Sequence, residues 1–413
     1  MSTYQFICEH IDLTTKSCEC VEDNPSIPLI KLPYPYTTPC AEGAFQEMYY
    51  WDTYFTHKCL LLTKRGGQVR NNLKNFAYLL EKFGKIPNGN RLHYITRSQP
   101  PFFGLMLSDY LKEGQEGLEL EKAFALLEKE YSFWQKERIA DNGLNVYGCD
   151  RVDKEKYGDY WFFDCDQTKG YTARTGIFLE ENEGNNRGVI AECESGWDFS
   201  PRFLSQATRY NPVDLNSLLY ADEILLSEWA RRLNKEDRAE FYQIKAEERK
   251  EKMIRLMKKD GIYYDFNFVE KTTSPIVSCA SFYPYFVGLD TDWAGFLKTV
   301  SLLEKEYGVV ACQWDKGGFQ WAAPNSWAPL NYIAVAAAEK LGLKEVAKRL
   351  ADKYLSVTDK IYKKTKRLWE KYNAKTGDLE VASEYGTPEM LGWTAGVYTA
   401  FYHYRESGYK KLI

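Results

Sequence analysis

Apolar residues recur along most of this chain in alternating steps of four and three. Leu120, Phe124, Leu127, Tyr131 and Trp134 form one such stripe, and Val346, Leu350, Tyr354, Val357 and Ile361 form another. That spacing puts each set on one face of a helix. Similar patterns near 46–65, 68–83, 100–113, 213–234, 236–258, 291–306, 327–341 and 393–406 predict further helices, roughly ten to twelve in all. Strand-like alternation scarcely appears. The first forty residues end in "NPSIPLIKLPYPYTTP", which holds too many prolines for a helix and reads as an extended arm wrapped on a later body.

Successive helical hairpins in even number fit a closed ring of paired helices. The expected fold is therefore all-α, an (α/α)6 barrel over residues 41–413 with an extended N-terminal arm over 1–40. A helical solenoid is the competing architecture, but no fixed-period repeat is visible. The dipeptide Trp-Asp occurs at 51, 197 and 314, too unevenly and in too helical a setting for a propeller. In a helical barrel the long loops at one end line a shared pocket, and unusual stretches should meet there.

Bulk properties narrow the function. The 54 Lys and Arg against 58 Asp and Glu leave a formal charge of -4, which argues against nucleic acid or another polyanion as partner. No apolar run is long enough for a membrane span, and the start "MSTYQFICEHIDL" lacks a basic segment followed by a hydrophobic one, so the expected location is cytoplasmic. Ten scattered cysteines in a chain of 413 residues read as reduced thiols rather than a disulfide framework. Four histidines, with no Cys-x-x-Cys or His-Glu-x-x-His spacing, give zinc little support, and no metal or other cofactor is expected. Aromatic residues make up 15% of the chain, with 11 Trp and 31 Tyr. Such amphipathic rings suit a pocket that stacks on sugars or bases.

Four segments depart from the helical background: "AFQEMYYWDTYF" (44–55), "IPNGNRLHYITRSQPP" (86–101), "ESGWDFS" (194–200) and "WEKYNAKTGDLEVASEYGTPEMLGWTAGVY" (369–398). Each mixes carboxylates, aromatics and Gly or Pro, as a carbohydrate site does. No phosphate loop or dinucleotide fingerprint is present, and no serine sits in a nucleophile elbow. Carboxylate chemistry remains. Asp198 lies between Trp197 and Phe199; it is either a helix cap or a carboxyl group whose apolar walls let it hold a proton and act as a general acid. Glu384, in the small polar stretch "ASEYGT", is either a surface glutamate or an ionised partner beside a water.

In this order, the four segments resemble the trehalase family of inverting glycosidases. "EGAFQEMYYWDTYF" is similar to that family's first signature, and "IPNGNR", "RSQPP" and "ESGWDFS" match family segments almost letter for letter; the likeness runs from about 40 to 400. The resemblance implies an (α/α)6 barrel that hydrolyses α,α-trehalose to two glucoses, with Asp198 as general acid and Glu384 as general base. It further implies that Phe45, Trp51, Asp52, Asn88, Arg97, Gln99, Gly196, Trp327 and Trp393 bind the sugar. The partner is then a small carbohydrate; the oligomeric state is left open. This chain also departs from the family. The signature arginine is Ala44, with Arg151 the first candidate to replace it. The second signature, Gln-Trp-Asp-x-Pro-x-Gly-Trp-x-Pro, looks split after Asp315 within "QWDKGGFQWAAPNSWAP". The Pro-Arg-Pro-Glu segment is not recognisable around 147–160, and Pro388 and Ala395 replace an expected Gln and Asn. These changes leave two alternatives: an enzyme of the same fold acting on another small glucoside, and a catalytically silent sugar-binding protein.

Overall fold

The computed structural model describes residues 1–18, 28–150, 167–180, 182–316, 318–381, 383 and 385–412. Along them run the helices α1 (Thr3–His10), α2 (Tyr50–Leu62), α3 (Gly66–Phe83), α4 (Phe103–Lys112), α5 (Leu120–Glu137), α6 (Gln167–Thr175), α7 (Glu183–Glu194), α8 (Val213–Arg232), α9 (Glu236–Met257), α10 (Tyr283–Phe286), α11 (Trp293–Leu303), α12 (Ala328–Lys340), α13 (Lys344–Thr365) and α14 (Gly392–Glu406). The predicted stretches coincide with α2–α5, α8, α9 and α11–α14. The N-terminal arm opens with a helix, α1, before the proline-rich stretch; Ser2 and Gln5 cap it reciprocally. Tyr4 of that helix stacks on Tyr402 of α14, so the arm is fastened to the body at its first turn.

Sequence decides which helices lie inside. In α2 every residue from Tyr50 to Leu60 is buried, and α8, α12 and α14 are buried on most of their surface as well; a helix covered on all sides belongs to the interior. By contrast, α13 buries Ala347, Leu350, Ala351, Tyr354, Leu355, Thr358, Ile361 and Tyr362 on one stripe and sends its lysines outward. The inner helices touch in sequence, α2 with α4, α4 with α8, α8 with α10, α10 with α12, α12 with α14, and α14 with α2, which closes a ring. Helices α1, α3, α5, α9, α11 and α13 form the outer layer. The fold is the (α/α)6 barrel, and α6 and α7 are an addition to it between α5 and α8.

Two close contacts fix the ring at its seam. Gly396 of α14 lies so near α2 that a Cβ there would run into the Phe55 carbonyl. At the far side, Arg202 is fully buried and bound by Asp214 at 2.8 Å and Asp265 at 2.8 Å, which ties the chain after α7 to the start of α8. Among the described residues the strands are two or three residues long. One pair shapes the site: Asn325–Trp327 runs antiparallel to Lys371–Asn373, with Trp327 opposite Lys371.

Replacing Gly396 by alanine forces α2 and α14 apart. The expected cost is about 1–3 kcal/mol, as for other overpacked core positions. Urea unfolding of Gly396→Ala against wild type measures it, and an unchanged midpoint would refute this account of the seam.

Candidate active site

The segment AECESGWDFS is organised by its two other carboxylates. Glu194, at the end of α7 and fully buried, accepts the backbone N–H of Ser98 at 2.8 Å and binds the Arg138 guanidinium at 2.9 Å. It also accepts the Gly148 N–H at 2.6 Å. Glu192 accepts the N–H groups of Ser200 and Ser205. Between them the chain makes a tight bend. Gly196 takes φ +72°, and a Cβ on it would meet the Trp51 ring at 2.9 Å, so both backbone shape and space require glycine.

The bend sends successive side chains to different places. Trp197 enters the main core, stacked on Trp321 with 5.3 Å between centroids. Phe199, at φ +59°, enters a second small core and meets Tyr171 edge-on at 5.0 Å. Asp198, alone among residues 191–200, is not fully buried; it opens on a cavity of about 110 Å³. No helix starts there, so Asp198 is not a helix cap.

Around this cavity stand Phe45, Trp51, Asp52, Asn88, Arg97, Gln99, Gly196, Asp198, Trp327 and Trp393. The structure thus brings together every candidate residue named from sequence that it describes. Glu384 lies outside the described residues, as does Arg151. Ala44 is exposed and its side chain is not part of the lining. A larger groove of about 580 Å³ between α5 and α9 is lined by residues of both charges and shares none of these residues.

Local bonds hold the wall in place. The Gln99 side chain accepts the Trp51 N–H at 3.0 Å and so caps α2. Asn88 donates to the Cys193 carbonyl at 3.2 Å, joining the second segment to α7. Trp321 and Trp327 stack at 3.9 Å, Trp51 approaches Trp321 at 5.9 Å, and Trp327 meets Trp393 edge-on at 5.8 Å.

Sequence reading missed Tyr49, Tyr94, Gln320, Trp321, Glu370, Tyr385 and Met390, which also line the cavity. Two of them correct the account of the second signature. Gln313 and Asp315 are exposed and outside the site, whereas Gln320, Trp321 and Trp327 line it. The signature therefore runs without a break from Gln320 to Pro329, with Ala322 in place of its aspartate and Ser326 in place of its glycine; the spacing Gln-Trp-x-x-Pro-x-x-Trp-x-Pro was the available signal. Glu370 is carried to the wall by the Trp327–Lys371 pairing. Its carboxylate is held by Lys371 at 2.5 Å and by the Tyr385 hydroxyl at 2.8 Å.

Three carboxyl groups in one small cavity repel and are poorly solvated. Burial pushes Asp198 up to about 6, against the opposing pull of Arg97 and Arg174. Burial pushes Asp52 up to about 8, helped by the negative charges of Glu370 and Asp198. Burial also raises Glu370, with Lys371 and Tyr385 opposing. The arrangement supplies a proton donor near neutrality, hydrogen-bonding groups of both signs and flat apolar walls. Among the described residues no three His, Cys, Asp or Glu side chains converge as metal ligands.

The family model for trehalase matches residues 12–405. A periplasmic trehalase of Xanthomonas oryzae pv. oryzae is 32% identical over 94% of this chain and 72% of its own length. One of Escherichia coli O1:K1 is 31% identical over 95% of this chain and 73% of its own. The solved neutral trehalase of Saccharomyces cerevisiae superposes with a TM-score of 0.77 at 25% identity, over 98% of this chain and 80% of that one. The bacterial relatives correct the expected cytoplasmic location, since both are named as periplasmic. That expectation rested on the lack of a long apolar run and on the composition of the first residues. Of the eight described cysteines, six are buried; thiols packed in a core serve as small apolar side chains and carry no information on compartment.

Asp52 makes the site costly at high pH. Its pKa is about 8 in the fold against an ordinary 3.8, so the folded protein keeps a proton that the unfolded chain gives up, and stability falls as pH rises from about 4 to about 8. Asp52→Asn, which does not titrate, should show a flatter stability curve and a higher urea midpoint at pH 8 than wild type. Parallel curves for the two proteins would contradict the assignment.

Proposed function

The chain belongs to the trehalase family of glycoside hydrolases, and from that premise we propose that it splits α,α-trehalose into two glucoses with inversion, Asp198 acting as general acid and Glu384 as general base. The observation that carries this reading is the carboxyl group of Asp198, which lines an aromatic-walled cavity and is held near a pKa of 6. A group so poised gives its proton to a departing glycosidic oxygen and, as the carboxylate, is restored by solvent. Glu384 takes its role from the Glu-Tyr pair that resembles the family's base. Its neighbour Tyr385 lies at the cavity wall, edge-on to Phe45 at 5.5 Å.

We assign Phe45, Trp51, Asp52, Asn88, Arg97, Gln99, Gly196, Trp327 and Trp393 to the bound sugar. Indole and phenyl rings cover its apolar faces, and Arg97 donates to its hydroxyl oxygens. Asp52 is protonated at neutrality by virtue of its raised pKa, so it both donates to and accepts from a hydroxyl. The loss of the signature arginine at Ala44 removes one charged donor from the family's set. That change bears on substrate choice more than on the type of reaction, since Asp198 and Glu384 are both kept.

Asp198→Asn retains shape but has no proton to give, and turnover of trehalose should fall roughly 10²–10⁴-fold with near-normal folding. In wild type, activity requires protonated Asp198, so kcat/KM should decline as pH rises through about 6. Near-normal turnover in the variant would remove Asp198 from the mechanism.

Direct attack by water from the opposite face makes a second, independent test. The cleaved ring should appear first as β-glucose in proton NMR, before mutarotation. Release of only the α anomer would mean retention through a covalent intermediate and would displace Glu384 from the role of base.

A further inference from the structure

Helix α6 is not part of the ring, yet it reaches the acid. Tyr171 and Arg174 stand three positions apart on this helix, hence on one face. Tyr171 presents its ring to Phe199 at 5.0 Å, and the Arg174 guanidinium lies over the same Phe199 ring at 5.2 Å. Phe199 is buried and sits at φ +59°, a backbone region that bulky residues rarely adopt. A conformation so sparsely populated has to be held by surrounding contacts. The two α6 side chains supply such contacts to the residue that directly follows Asp198. The C-terminal end of α6 is itself packed closely, since a Cβ at Gly318 would come within 2.9 Å of the Arg174 carbonyl.

We propose that Arg174 is a positioning residue that both clamps the Phe199 turn and supplies the second positive charge facing the Asp198 carboxyl group, thereby setting the pH range over which that group holds its proton. The inference rests on Asp198 being the general acid. It concerns a helix outside the four segments that marked the site in the sequence.

The groups facing Asp198 come from several elements. Arg97, from the loop before α4, is the larger opposing charge and Arg174 the next, while the Cys193 side chain of α7 is hydrogen-bonded to the carboxyl group. Asp52 of α2 and Tyr94 feel the charge of Asp198, and Glu370 acts on Asp52 from the opposite wall. Both arginines favour the carboxylate, so they restrain the rise that burial imposes. With Arg97 alone the proton would be held to higher pH. Arg97 lines the sugar cavity whereas Arg174 does not, which makes Arg174 the charge that can be altered without removing a group proposed to touch the substrate.

Arg174→Met keeps an unbranched apolar stem against Phe199 and deletes the charge; Arg174→Lys keeps the charge. The alkaline limb of the kcat/KM profile for trehalose should move up by roughly 0.5–1 on the pH scale in Arg174→Met, as for loss of a nearby opposite charge. In Arg174→Lys it should stay close to wild type. Carbon-13 titration of aspartate carboxyl groups, with the Asp198 signal identified by its loss in Asp198→Asn, reads the same proton without catalysis. A carboxyl titration that moves up together with the activity limb supports the proposal. A carboxyl titration that moves while the limb does not still supports the role of Arg174, and instead withdraws Asp198 as the acid. An Asp198 titration unchanged in Arg174→Met overturns the proposal, whatever the activity does. Should Arg174→Met fold poorly, Arg174→Gln carries the same test.

Discussion

The carboxylate of Glu194 is the point on which the site depends. It has no access to solvent, and it gathers the Ser98 and Gly148 N–H groups and the Arg138 guanidinium around one negative charge. These partners come from three separated stretches: the loop that carries Arg97 and Gln99, the end of α5, and the chain after it. An unpaired carboxylate at this depth would be costly, and each bond that offsets the cost also fixes one strand of chain relative to α7. Asp198 follows four residues later and inherits that placement.

Once the bend is fixed, the aromatic residues decide where it faces. Trp197 is held from both sides, by Trp321 and by the Arg202 guanidinium at 4.4 Å. Arg202 is in turn locked by two buried aspartates. Phe199 is held in a different core, against Tyr171. Anchoring two neighbours in opposite directions leaves the residue between them little choice, and Asp198 projects into the cavity. Large rings flanking a carboxylate in sequence therefore do not surround it; they act as two anchors that aim it.

The sequence was most informative where periodicity or a motif had a single physical reading. The long helices followed from apolar stripes with a period near 3.6, and the ring followed from their pairing. The short α10 and the polar α6 and α7 have no such stripe, and their helicity depends on contacts made elsewhere in the chain. Within the site, Arg97, Gln99 and Gly196 were legible because they sit in motifs with fixed spacing. Glu370 was not, for its place at the wall depends on a three-residue strand pairing, Trp327 against Lys371, that joins residues more than forty apart. Gln320 and Trp321 were misassigned because an earlier Gln-Trp-Asp at 313–315, whose Gln313 and Asp315 are exposed, imitates the start of the signature. Composition cannot separate the two copies; the side that packs against Trp51 and Trp327 can. Glu384 stands on the family likeness of its motif.

Three identical functional groups, Asp52, Asp198 and Glu370, share this cavity and have different surroundings. Glu370 is given an ammonium and a phenol, so its charged form has compensation at close range. Asp52 is given two like charges and is the most reluctant of the pair with Asp198 to ionise. Asp198 is given two arginines that offset much of the effect of burial. None of the differences comes from the carboxyl group; all come from which charge the fold sets opposite it. Three different protonation behaviours are thus made from one kind of chemistry, and a residue that alters those opposing charges alters the behaviour of the carboxyl group it faces.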